Sequence, residues 1–331
     1  MRLKKEYIIL AVIIIGLSVY LYKRSSDRTL YKLPDIPKVA QKDITKLQIT
    51  KGQTVIVLNR KDEKWYIAPQ EYPTDSQKVK ELLNAVENLR LTALVSESKN
   101  YNLYDLDEAQ KINVKVWQGD NLKLDIDVGK TASSFRHTFV RPAGEERVFH
   151  AQGNLKNNFD VSVDNLRDKV VLTFKPTDIQ QIQISKEQQS LTFNRTQVPV
   201  EVKAPGAAAE KKTEESAPAQ KLVWQVADGQ TVDEAALNQL LNTLANLRCE
   251  KFIDNRQKED FSGPLFTLQL KGAVEHSLFI FPKTEEQDKN FPAVSSGSNY
   301  PFLLSGSQVE QIMKDPSAFL KKPEAEAKKS E

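Results

Sequence analysis

Two histidines, His137 and His150, lie on the two arms of a predicted β-hairpin whose turn is near Gly144. Facing histidines on such a hairpin could bind a metal ion, because neutral imidazole is a common metal ligand. Counted outward from the turn, however, His150 should lie opposite Phe139 and not opposite His137. The count therefore favours two ordinary surface or half-buried histidines over a metal site.

The remaining candidates for chemistry are one acidic cluster and one thiol. Asp105, Asp107 and Glu108 stand close together in the segment YNLYDLDEA, but catalytic carboxylates would need a second group that the sequence does not indicate. This cluster is interpreted as a solvated turn. Cys249, the only cysteine, would need a partner histidine to act as a nucleophile and is interpreted as a small residue at a helix end.

Known catalytic motifs do not occur in the chain. It contains no GxGxxG or phosphate-binding loop, no HExxH, no CxxC and no GxSxG. A net charge of +3 without long Lys and Arg runs gives no indication of nucleic-acid binding, and a single cysteine excludes an intramolecular disulfide. We therefore expect no enzyme activity and assign no catalytic, cofactor-binding or metal-binding residue.

An internal repeat organises most of the sequence. ELLNAVENLR at 81–90 matches QLLNTLANLR at 239–248, and six of the ten positions are identical. Trp65 corresponds to Trp224, and further matches flank both in the same order. The two tryptophans are interpreted as repeated core residues, with a carbohydrate platform as the alternative. The repeat predicts two tandem copies of one module.

Each copy is predicted to be an α+β module in which one amphipathic helix packs on an antiparallel sheet. Alternating segments such as 44–50, 54–60 and 64–68 predict strands. Thr74 with Gln77, and Thr231 with Glu234, fit the capping box of a helix N-terminus. Apolar residues follow at helical spacing from Val79 and from Leu237, so one face of each helix should lie on a sheet.

The N-terminus predicts a membrane anchor. After a basic segment at 1–6, residues 7–22 form an uncharged, mostly apolar run, Tyr7–Tyr22, bounded by Lys23 and Arg24. Alternatives are a cleaved signal peptide or a buried core helix. Basic residues flank both ends of the run, so the positive-inside rule does not fix the topology. We expect a single-pass protein of the inner (cytoplasmic) membrane with its body outside the cytoplasm.

The predicted organisation after the anchor has a few further segments. A polar tether precedes the repeats, and the second repeat contains an insertion rich in Ala, Pro, Glu and Lys that is predicted to be disordered, like the C-terminal tail. The boundaries are 23–42 for the tether, 43–175 for the first repeat, 176–322 for the second repeat, about 198–221 for its insertion, and 323–331 for the tail.

The combined pattern resembles a family of domains of unknown function, number 4340. The resemblance rests on the apolar N-terminal run and on the segments ITKLQITKGQTVIVLNRKDEKWYI, YPTDSQKVKELLNAVENL, YNLYDLDEA before INVKVW, IDVGKT, and VDNLRDKVV. It covers about residues 43–175 well and the second copy more loosely. It implies no catalytic residues. It does imply an envelope accessory subunit associated with ABC transporters of the gliding-motility type.

Two functions follow as expectations. The first is a non-enzymatic, membrane-anchored interaction protein that works with an ABC-type transporter complex. The alternative is an envelope module that binds a glycan or a lipid through aromatic residues such as Tyr101, Tyr104 or Trp117, which would then line one groove.

Overall fold

The computed structural model describes residues 5–26, 31–199 and 220–321, with the side chains of the first range described over 9–21. The chain divides into two compact units, one ending at Asp168 and the other beginning at Lys169. This division precedes the predicted boundary at residue 175, because the strand Val170–Thr173 pairs with Asn246–Arg248 of the second unit. Antiparallel sheets and a few helices make the fold α+β, as the sequence predicts.

The first unit contains nine strands and four helices among its described residues. The strands are β1 (Lys46–Lys51), β2 (Thr54–Lys61), β3 (Lys64–Ala68), β4 (Tyr72–Pro73), β5 (Leu91–Ser96), β6 (Ile112–Gln118), β7 (Asn121–Thr131), β8 (His137–Pro142) and β9 (Val148–Gln152). The helices are α1 (Lys5–Ser26), α2 (Ser76–Glu87), α3 (Leu155–Phe159) and α4 (Val163–Leu166).

One antiparallel sheet runs through the whole first unit in the order β4-β3-β2-β1-β6-β7-β8-β9-β5. Buried and more exposed residues alternate along its strands, so that one face of the sheet carries the core. Strand β6, for example, buries Ile112, Val114 and Val116. Helix α2 contributes its apolar stripe to the same core, as the helical spacing predicts. The buried members of that stripe are Val79, Leu82, Leu83 and Val86.

The second unit contains the remaining strands and helices. The strands are β10 (Val170–Thr173), β11 (Gln181–Lys186), β12 (Gln189–Pro199), β13 (Gln220–Val226), β14 (Asn246–Arg248), β15 (Lys251–Phe252), β16 (Phe266–Lys271), β17 (His276–Ile280), β18 (Asn290–Ser295) and β19 (Phe302–Ser305). The helices are α5 (Glu234–Leu244) and α6 (Gly306–Ile312).

The large sheet of the second unit has the order β13-β12-β11-β16-β17-β18-β19-β15. When each strand is matched with its counterpart in the first unit, from β13 with β3 to β15 with β5, this order is the same as that of the first sheet without its short outer strand β4. The stripe of α5 is buried beneath it, with Leu237, Leu240, Leu241 and Leu244 in the core. The shared strand order is the arrangement that two copies of one module would give.

The helix caps differ from the sequence prediction in both units. Asp75 caps α2 by accepting from the amides of the second and third helical residues, and Asp233 does the same for α5. Thr74 instead donates its hydroxyl to the carbonyl of Trp65 at 3.0 Å. The predicted caps Thr74 and Thr231 are therefore wrong, because an aspartate closer to each helix supplies the acceptor.

The N-terminal helix α1 exposes apolar side chains on all sides. Ten large hydrophobic residues between Ile9 and Leu21 are each more than half exposed. Within the described residues, no helix is both long enough and apolar enough to span a membrane, so the predicted transmembrane helix at 7–22 is not found.

The segment predicted as a polar tether packs on the first unit over residues 31–43. Val39 is buried, and Leu33 and Ile36 pack against the same core. Gln41 donates from Nε2 to Oδ1 of Asn84 and to Oε2 of Glu87, each at 2.6 Å. Three apolar side chains and two hydrogen bonds to α2 fix this segment, which we call the strap.

The predicted disordered insertion is bounded by paired strands. Val198 pairs with Lys221, and Pro199 pairs with Gln220, so both ends of the 198–221 prediction belong to the β12–β13 hairpin. Residues 200–219 lie outside the described residues, as do 323–331 of the predicted tail.

Candidate functional site

A network of charged and polar side chains lies on the face of the first sheet opposite the core. Asn113, Asp127 and Arg141 are cross-strand neighbours on β6, β7 and β8. Asp127 is only 8% exposed and accepts hydrogen bonds from Arg141 Nη2 at 2.6 Å and Nε at 3.2 Å, and from Asn113 Nδ2 at 2.9 Å. Asp127 is thus a fully bonded structural carboxylate.

Arg141 joins this network to an aromatic ring. Its guanidinium carbon lies 4.3 Å from the ring centroid of Tyr101. Burial acts to lower the pKa of Arg141, but the hydrogen bond to Asp127, the interaction with Tyr101 and the attraction of their charges outweigh it and raise the pKa overall. Arg141 therefore stays charged. It holds Asp127 and Tyr101 in place and does not transfer protons.

The acidic turn at 101–109 packs across this face of the sheet and is not a purely solvated turn. Leu106 at its centre is fully buried. Gly129 on β7 allows the close approach, since a Cβ there would lie 2.1 Å from the carbonyl oxygen of Tyr104. Asp105 accepts from Lys156 Nζ at 2.9 Å. The predicted turn exists, but its middle is anchored by a buried leucine and an ion pair.

The three carboxylates of the acidic turn point to different partners. Asp107 Oδ1 accepts from the amide of Ala109 at 3.1 Å, and its buried Oδ2 has no hydrogen-bond partner among the described residues. Glu108 is exposed and pairs with Lys111 at 2.6 Å. Asp105 and Glu108 thus bond to different lysines, and Asp107 bonds within the turn itself.

The two histidines lie beside each other on the β8–β9 hairpin. His150 pairs with Phe139 across β8 and β9, which confirms the register predicted from the turn. The rings of His137 and His150 stack with centroids 5.3 Å apart. Among the described residues, no group of three or more His, Cys, Asp or Glu side chains could hold a metal ion.

The histidines belong to a row of rings that pack against one another. Tyr104 lies 4.9 Å from Phe139, and Phe139 lies 4.8 Å from His150. Burial lowers the pKa of His150, and the neighbouring charge of His137 lowers it further. Its Nε2 is buried without a hydrogen-bond partner among the described residues. His150 is thus a neutral ring, and the row to which it belongs contacts the acidic turn through Tyr104.

The tryptophans and Cys249 take structural positions. Trp224 is buried in the core of the second unit, as the core interpretation predicts. Trp65 is half-buried and packs against the core of the first unit. Trp117 lies under Lys46, whose Nζ is 4.5 Å from the ring centroid. Cys249 is buried in the second core.

The aromatic residues suggested for ligand binding do not meet in one groove. Trp117 and Asn113 lie four residues apart on β6, a separation of about 13 Å along the strand. Tyr101 packs on Arg141, which lies in the same cross-strand row as Asn113 and Asp127. Tyr104 packs on Phe139, which precedes Arg141 by two residues on β8. The three rings are therefore spread across the face of the sheet.

A family model described as a domain of unknown function, DUF4340, matches residues 65–263. The chain belongs to the DUF4340 family. The match begins within β3 and ends in the second unit, so it includes parts of both copies. No curated protein and no solved structure matches the chain.

Two features of this DUF4340 protein lie outside the matched residues. One is α1 with its exposed apolar side chains. The other is the strap, which forms one side of a cleft of about 800 Å³ against the C-terminal end of α2, the start of β5 and the end of β9. The catalytic candidates of the sequence do not line this cleft. It is lined by Leu33–Ile36, Lys38, Glu87–Leu91, Gln152 and Gly153.

Proposed function

We propose that the protein is a non-enzymatic interaction protein that α1 holds at a membrane. The observation that carries this proposal is the exposure of ten large apolar side chains on one helix. Exposed apolar patches of such size are typical of interaction or membrane sites. Removing these half-exposed side chains from water would contribute on the order of 10 kcal/mol, enough to hold a protein at a lipid phase.

The polar sites of the first unit support an interaction role over catalysis. Asp127, Asp105 and Glu108 each have a cationic partner, and these partners are Arg141, Lys156 and Lys111. A catalytic acid or base needs access to a substrate. Asp127 instead pairs within the sheet, Asp105 pairs with a lysine of α3, and Glu108 pairs with a lysine three positions further along the chain. We propose that the turn and the sheet present a fixed surface to a protein partner.

The partner we propose is an ABC-type transporter complex of the cytoplasmic membrane. The support is the resemblance to envelope accessory subunits together with membership of the DUF4340 family. The test is affinity purification of the full chain from cross-linked membranes, beside a variant lacking residues 1–30. Specific recovery of an ABC-type membrane subunit supports the proposal. Recovery of none, with the bait intact in the membrane, contradicts it.

We also propose that both units lie outside the cytoplasm. An alkaline phosphatase fused after Lys321 should be active, because this reporter folds only after export. A cytoplasmic reporter fused at the same residue should be inactive. The reverse pattern would place the units in the cytoplasm and would remove the envelope role.

A glycan- or lipid-binding module is the second candidate function. Tyr101, Tyr104 and Trp117 would have to form one platform, and their separation on the sheet does not favour it. Binding of envelope polysaccharide to the full chain, lost in Trp117→Ala and unchanged in Lys46→Ala, would nevertheless establish this alternative.

A further inference from the structure

Only a short stretch of chain joins α1 to the part of the strap that packs on the core of the first unit. Helix α1 ends at Ser26, and Leu33 already packs against the core of the first unit. Ser26 and Leu33 are seven positions apart, so the chain between them can span at most about 23–25 Å when fully extended. Any membrane that holds α1 must therefore lie near the strap.

The strap is too well fixed to peel away and lengthen this connection. Val39 is 5% exposed, and the two hydrogen bonds from Gln41 reach α2 at Asn84 and Glu87. Releasing the strap would expose the buried Val39 and would break these two hydrogen bonds. The short connection therefore limits the distance between the membrane and the strap side of the unit.

The cleft beside the strap has a composition that suits lipid headgroups. Its walls include Leu33, Ile36 and Leu89, which are half-buried, and its rim carries four exposed charged side chains of both signs. The charged rim residues are Asp35, Lys38, Glu87 and Arg90. Two cations and two carboxylates give the rim no net charge, which matches a headgroup that carries both a phosphate and an ammonium group.

We propose that this cleft docks on the zwitterionic headgroups of the membrane that holds α1, so that the strap side of the first unit rests on the lipid surface. This inference rests on the proposed membrane attachment. It adds the face of the protein that meets the membrane and the headgroup chemistry that this face recognises.

The test uses two labelling sites at opposite ends of α2. Asn88, which directly follows the last residue of α2, is exposed at the cleft, and Gln77 is exposed in the first turn of the helix. Full-length Asn88→Cys and Gln77→Cys chains are labelled with one fluorophore and reconstituted in phosphatidylethanolamine–phosphatidylcholine vesicles that contain a trace lipid with a headgroup quencher. The unsubstituted chain measures background labelling of the buried Cys249.

The expected result is quenching at Asn88 at least about twofold stronger than at Gln77, because the two sites are about 16 Å apart along the helix. Equal or reversed quenching in chains that float with the vesicles overturns the inference and leaves the proposed attachment standing. Chains that do not float overturn both. A difference seen only with acidic lipids would contradict docking on zwitterionic headgroups.

The role of the rim is tested by charge reversal. In the labelled Asn88→Cys chain, Lys38→Glu with Arg90→Glu should reduce quenching to the level of the Gln77 site, because the rim would then carry four negative charges. The matched control is Lys64→Glu with Lys80→Glu, which changes two exposed lysines that do not line the cleft. Unchanged quenching in the rim variant would show that the rim does not contact headgroups.

Discussion

The imidazole of His150 packs against the ring of Phe139 across the β8–β9 ladder, with ring centroids 4.8 Å apart. Burial lowers the pKa of His150, with a further contribution from His137. The unfolded chain should bind a proton at this residue near its ordinary pKa of about 6.5, whereas the folded chain should bind it only at lower pH. The contribution of neutral His150 to the stability of the first unit is therefore complete only above the ordinary pKa of about 6.5.

We predict that this stabilisation is lost as the pH falls from about 6.5 through the lowered pKa of folded His150. His150→Phe keeps an aromatic ring in the row but cannot bind a proton. Its free energy of unfolding should therefore decrease less than that of the unsubstituted chain between pH 7.5 and pH 5.5. Urea unfolding at the two pH values measures this difference, and an identical decrease in both proteins would show that His150 does not contribute.

The strap should contribute measurable stability to the first unit. Val39→Ala removes two methyl groups from a buried side chain and should cost about 1.5–3 kcal/mol, close to the value of burying a whole valine. Lys38→Ala changes the exposed neighbour and should stay within about 0.5 kcal/mol. The measurement is urea unfolding of a chain lacking residues 1–30. Equal effects of the two substitutions would mean that the strap is a loose tether after all.

The apolar stripes of α2 and α5 predict matched effects in the two units. Leu83 is 7% exposed and Leu241 is 1% exposed, so each alanine substitution should cost about 2–5 kcal/mol from lost burial and the cavity left behind. Glu81 and Gln239 are exposed on the same helices and should tolerate alanine. If Leu83→Ala and Leu241→Ala were as mild as Glu81→Ala and Gln239→Ala in denaturant unfolding, neither stripe would support a core.

The β12–β13 hairpin should close without residues 200–219. Pro199 and Gln220 already pair across the two strands, so a short Gly-containing turn can join them. Replacing 200–219 by such a turn should leave the melting temperature within a few degrees, because loop length affects stability only weakly. A large drop in melting temperature would show that the replaced residues contribute to the fold.

Local patterns in the sequence predicted the parts of the fold that depend on near neighbours. The stripe through Leu83 and Leu241 follows from helical spacing, and the pairing of Phe139 with His150 follows from counting along one hairpin. The strand pattern does not predict β18, because Pro292 lies inside it and a proline argues against a strand. Strand β5 is not predicted, because its residues Leu91–Ser96 do not alternate between buried and exposed positions and so give no strand pattern.

The features that matter for the candidate sites were harder to predict, because they depend on distant contacts. Val39 appears in the sequence as one apolar residue in a polar segment, and only its packing in the first core shows that the strap is fixed. Leu106 lies in an acidic turn that reads as solvated. Gly129 was the available signal, since a glycine within a strand often marks a close backbone approach.

Membrane attachment through α1 is tested most directly by flotation of the full chain with lipid vesicles on a density gradient. The control variant is Val274→Asp, which changes an exposed valine of the second unit. The test variant is Ile13→Asp with Ile14→Asp, because each charged residue in an inserted helix costs about 2.5–3.5 kcal/mol. The unsubstituted chain and Val274→Asp should float, and the double variant should stay at the bottom. Flotation of the double variant, or sedimentation of the unsubstituted chain, would contradict attachment through α1.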